Sequence, residues 1–95
     1  MMLSGTESPR VLKIRERLQA ALQPVRLDIA DESHKHVGHA GAAGGGGHFN
    51  ALIVSSAFEG QRLLQRHRLV YDALGEMMDT DIHAFSVQCR TPEEV

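Results

Sequence analysis

The amino-acid sequence predicts an α+β fold in the order αββαβ, with a three-stranded mixed sheet and helices on one face. Three observations carry this. Two segments repeat apolar residues at helical spacing: Val11, Ile14, Leu18, Ala21 and Leu22 in the first, and Leu63, Val70 and Leu74, with His67 in line, in the second. Val25, Leu27 and Ile29 alternate with Arg26 and Asp28, the period of a strand with one wet face. A helical segment between two further strands implies a right-handed crossover, and so a parallel pairing of the second and third strands.

In chain order, residues 1–7 are polar and read as a disordered N-terminus, and residues 8–95 as one domain. Ser8 is placed to cap the first helix, and Pro9 stands at its first position, where a missing N–H costs nothing. Pro24 cannot continue a helix, so the first one ends near Leu22. The first strand follows. Residues 32–47 form a connection rich in glycine and histidine, with Gly38, Gly41 and Gly44 to Gly47. His48 to Ser55 is the second strand, with Phe49, Leu52, Ile53 and Val54 as its apolar content. The second helical region is expected from about Gln61 to Met78, with Gly60 marking a tight start. Ile82 to Cys89 is the third strand, and Thr91 to Glu94 a polar end.

Composition narrows the function classes. Ninety-five residues make one domain with a modest core. Net charge is −2 with histidine neutral, which argues against a strong nonspecific hold on a phosphate backbone. The six histidines add positive charge below about pH 6.5. Cys89 is the only cysteine, so a disulfide within the chain and a thiolate-only metal cage are both excluded. No apolar run reaches the ~20 residues that span a bilayer, and the stretch MMLSGTESPR, with no apolar segment after a basic one, does not read as a secretory signal, so a reducing cytoplasmic setting is the expectation.

The chemistry-bearing residues are histidines and arginines. His34, His36 and His39 lie in the long connection and His48 at its end. Glycine-rich chain can wrap such imidazoles around Zn, Cu, Ni or Fe, and adventitious metal capture is the competing reading. His67 stands in line with apolar residues, so it reads either as a satisfied core histidine or as a functional ring bracketed by Arg66 and Arg68. His83 reads as structural. Arg10, Lys13 and Arg17 form a basic stripe on the first helix, read as a solvated face or as a docking surface. Catalysis has little support: there is no GxSxG, no GK[ST] after the glycine run and no CxxC.

The run Phe58, Gly60, Leu63, Arg66, His67, Arg68, Val70, Tyr71, with Asp31-Glu32-Ser33 before the loop and His48-Phe49 after it, resembles the BolA family of small stress-linked proteins from about Val11 to Glu94. The resemblance implies a fold similar to the type II KH domain. A KH-type GxxG clamp is not matched here, because the turn near Gly60 has a single glycine. The resemblance further implies a non-enzymatic partner of a monothiol glutaredoxin. The two share a bridged two-iron two-sulfur cluster with glutathione, in cluster trafficking or iron homeostasis. In that reading His67 and His36 are the metal ligands, with His34 and His39 as additional candidates. The alternative it implies is a nucleic-acid-binding transcriptional regulator of stress or morphology, using Arg62, Arg66 and Arg68, with weak DNA binding. A homodimer is a further expectation, and a membrane is not among the expected partners.

Overall fold

The computed structural model describes residues 7–33 and 46–95. Helix α1 spans Pro9–Leu22, strand β1 Arg26–Asp31, strand β2 Gly47–Val54, helix α2 Leu63–Leu74 and strand β3 Ile82–Arg90. The sheet order is β1-β2-β3. β1 and β2 pair antiparallel from Arg26↔Val54 to Asp31↔Phe49, and β2 and β3 pair parallel. The expected α+β order and mixed sheet are therefore present.

Local chemistry sets the helix ends. Ser8 Oγ accepts from the Val11 amide at 3.2 Å, and Pro9 opens α1. Gln23 closes it with a left-handed φ of 47°. Glu7 was expected in the disordered end, but its carboxylate pairs with the Arg15 guanidinium. The second helix is shorter than expected. Gly75 adopts φ 56° and ψ −130°, which ends α2 at Leu74, and a 3₁₀ turn covers Gly75–Asp79.

The core lies between the helices and one sheet face. It joins Val11, Ile14, Leu18 and Leu22 of α1 to Phe49, Ala51 and Ile53 of β2, with Phe58, Val70, Leu74, Met77, Ile82 and Cys89. The stripe expected on α2 is rotated. Leu63 is exposed, while Leu69 and Ala73 join Val70 and Leu74 against the core. The aliphatic pair Leu63 and Leu64 thus faces outward at the start of the helix. Among the described residues, no helix is long and apolar enough to cross a membrane.

Candidate functional site

The long connection leaves and re-enters the sheet at one place, and the residues there explain how. The Asp31 carboxylate accepts from the Ser33 amide at 2.9 Å, a turn closed by a short acidic side chain. Ser33 Oγ then accepts from the His48 amide at 3.0 Å, and the Glu32 amide donates to the His48 carbonyl at 2.8 Å. Gly47 permits this closeness: a Cβ there would lie 2.6 Å from the Phe49 ring and 2.8 Å from Ser33 Oγ. The Asp31-Glu32-Ser33 motif and the His48-Phe49 pair are two sides of one clasp. His34, His36 and His39 lie outside the described residues.

At this clasp a second histidine arrives from β3. Gly47 pairs with Ile82 and His48 with Ala84, so the ladder skips His83. Such a bulge re-aims the side chain it carries. The His83 and His48 rings stand 4.9 Å apart, tilted by 44°. The His83 backbone and Cβ also lie against Gly46, where an added Cβ would sit 3.0 Å away. His83 is exposed and the core does not contain it. The structural role expected for it is corrected: it is one of two imidazoles at the mouth of the loop. The signal in the sequence was present but incomplete. A polar ring directly after Ile82 at the start of a strand is visible, whereas the bulge that turns it outward depends on pairing.

His67 lies elsewhere. It is half-buried on α2, edge-on to Tyr71 with ring centroids 6.2 Å apart. The adjacent Arg66 reaches the Cys89 carbonyl at 3.1 Å, near the C-terminal end of β3. The loop mouth is at the N-terminal end of that strand, opposite Ile82. Cys89 lies seven residue steps along the strand from Ile82, about 23 Å at 3.3 Å per residue. His48 alternates with the core residue Phe49, so it projects on the sheet face away from the helices. His67 belongs to the helical layer. The described geometry therefore joins His48 and His83, and does not join His67 to them.

The arginines are also sorted. Arg66, expected in the alternative reading to offer its charge to nucleic acid, has a side chain only 14% exposed. It donates to both Glu94 carboxylate oxygens, at 2.7 and 3.1 Å, to the Gln61 carbonyl at 2.8 Å and to the Cys89 carbonyl. Its guanidinium carbon also lies 6.0 Å from the Phe58 ring centroid. Arg62 and Arg68 are exposed. The α1 stripe is largely engaged. Arg10 and Lys13 meet Asp81 at 3.8 and 3.6 Å, and Arg17 donates to the Leu74 carbonyl at 2.9 Å.

Cys89 is buried, and burial pushes its thiol up to about 11, with Arg66 opposing the shift. Such a thiol is neither accessible nor ionised near neutral pH. Among the described residues, no three histidine, cysteine, aspartate or glutamate side chains converge to hold a metal ion. What the described residues do present is imidazole donors, a ligand type suited to iron, zinc or copper, without a thiolate to accompany them.

Comparison with known proteins agrees in sequence and in shape. A family profile described as "BolA-like protein" matches residues 18–94. "Protein BOLA1, chloroplastic" of Arabidopsis thaliana is 49% identical over 94 residues, 96% of this chain and 59% of that protein. The chain thus spans about three-fifths of that relative. The "DNA-binding transcriptional regulator BolA" of Escherichia coli is 42% identical over 82 residues, 86% of this chain and 75% of that protein. The structure of the BolA domain of SufE1 from Arabidopsis thaliana superposes with a TM-score of 0.83 at 43% identity, over 95% of this chain and all of that domain.

Proposed function

The chain belongs to the BolA-like protein family, and from that premise we propose that it is a non-enzymatic iron-sulfur partner of a monothiol glutaredoxin. The observation that supports this most is the combination at the loop mouth. Two imidazoles stand together there, while the only thiol in the chain is buried at Cys89. A two-iron two-sulfur cluster takes thiolate ligands, with histidine replacing some of them in Rieske-type centres. This chain can contribute histidine and must receive thiolates from elsewhere. A monothiol glutaredoxin and its glutathione offer them.

Bound there, the cluster would supply one-electron chemistry at a potential that imidazole ligation raises. The residues of this chain would act as follows. His83 lends a ring that the bulge turns outward. The Ser33–His48 clasp holds together the two ends of the connection whose sequence carries His34, His36 and His39. His36 remains the loop ligand of the proposal. For the fixed ligand the geometry supports His83 over His67, because His83 borders the loop end at Gly46. Imidazole binds metal in its neutral form, so the shared cluster is lost as pH falls through the histidine range.

The test is visible absorption and circular dichroism after mixing the apo-protein with cluster-loaded monothiol glutaredoxin. His83→Ala and His36→Ala should each change the spectrum of the mixed complex, and His67→Ala should change it less. If His67→Ala alone alters it, the helix histidine is the ligand. A spectrum identical to glutaredoxin alone would end the proposal.

A second reading, nucleic-acid binding, is supported by the printed name of the Escherichia coli relative and by exposed Arg62 and Arg68. It has fewer cations than the sequence suggested, because Arg66 is engaged with Glu94.

A further inference from the structure

The two edges of the sheet are treated differently. β1 spans only Arg26–Asp31, carries Arg26, Asp28 and Asp31, and has its Leu27 carbonyl approached by Arg15 Nη1 at 3.4 Å. Short length, charge and a covering side chain are the usual devices that keep an edge from pairing. β3 has none of these over most of its length. Ile82–Arg90 has no charged residue before Arg90 and no proline, and among the described residues it pairs only with β2.

The main-chain directions along β3 follow from two hydrogen bonds. The Arg90 carbonyl accepts from the Ser55 amide, so Arg90 points toward β2. Counting back by twos, Gln88 and Ser86 do the same. The Cys89 carbonyl is met instead by Arg66 from outside the sheet. Val87 and Phe85 share its direction, so their N–H and C=O groups face the free edge. Their side chains are half-buried against the core beside that edge.

We propose that this edge pairs with a second copy of the chain, β3 antiparallel to β3, about a two-fold axis through Ser86. In that register Phe85 faces Val87 of the second copy and each satisfies the other's N–H and C=O. The Cys89 carbonyl, already held by Arg66, is not called upon. Ser86 meets Ser86, and Ala84 meets Gln88, on the exposed sheet face. The paired stretch is uncharged, so self-association meets no like-charge repulsion, whereas a charged peptide gains no attraction from it. The product is one continuous six-stranded sheet with a closed, self-complementary contact.

Sedimentation or light scattering of the full chain across a concentration series tests this. The wild type should show a reversible doubling of mass. Ser86→Glu and Ser86→Lys each place like charges directly opposite, and each should weaken association about fivefold or more. An equimolar mixture of the two should restore it. Val87→Pro removes an N–H that faces the free edge and not β2, so it should abolish pairing while far-ultraviolet circular dichroism stays native. A wild type that stays monomeric throughout would overturn the proposal. So would a dimer indifferent to all three variants, or a mixture of the Glu and Lys chains that stays apart.

Discussion

Both carboxylate oxygens of Glu94 face Arg66, and one of them also accepts from the Thr91 amide at 2.9 Å. The Arg66 hydrogen bonds, and then the Thr91 amide, hold this carboxyl down at about 2, against an ordinary 4.5. A carboxyl depressed in the folded state adds stability above its unfolded value and loses it as pH falls through the folded one. The contribution should therefore be complete above about pH 4.5 and gone near pH 2. Glu94→Gln should flatten the acid limb of a pH-dependent denaturation curve across that window. An unchanged limb would show that the contact contributes nothing in solution. No sequence rule paired Arg66 with Glu94, because they are 28 residues apart and meet only when β3 lies beside α2. The histidines show the same limit. His67 attracted attention through its neighbours in sequence, while His83 gained its position from a skipped rung of the ladder.

At the scale of elements, α2 is bounded by chemistry that the sequence half displays. Its start is fixed by the Arg62 amide donating to the Gln65 side chain at 3.0 Å. Its end is fixed by Gly75, whose ψ of −130° at φ 56° suits a residue without a Cβ. A Cβ there would also come within 3.2 Å of Arg17 Nη1, the group that donates to the Leu74 carbonyl. Gly75→Ala should cost about 1–3 kcal/mol, read as a lowered urea midpoint with an unchanged slope. A shift below a few tenths of a kcal/mol would mean the turn relaxes freely. The strands and α1 were legible because capping, Pro24 and alternation are local. The rotation of α2 was not, because the stripe through Leu63 and His67 and the stripe through Leu69 and Ala73 are equally helical. Only packing against α1 and β3 selects one.

For the whole molecule, charge placement bears on the nucleic-acid reading. The Arg10, Lys13, Arg17 and Arg66 side chains are engaged with acidic or carbonyl groups of the fold. Around α2 this leaves Arg62 and Arg68 as exposed cations. Two phosphate contacts contribute a slope of only about −2 in log affinity against log salt. Fluorescence anisotropy with duplex DNA should give weak, sequence-independent binding that Arg62→Ala and Arg68→Ala each reduce by about one unit of slope. Tight, sequence-selective binding at 0.15 M salt, where the Debye length is about 8 Å, would make the regulator reading primary.

The parallel ladder also orders events in time. Phe49 pairs with Phe85 and Val54 with Arg90, each 36 residues further along, whereas β1 and β2 meet across 18 residues at Asp31↔Phe49. A two-stranded hairpin is marginal by itself, so it must wait for the crossover helix to return the third strand. The entropy of closing that distance is spent before any pairing rewards it, which puts folding nearer milliseconds than microseconds. Until then the β3-facing side of β2 is open beside Phe49 and Ile53, and it is in this interval that the nascent chain is most exposed to misassembly.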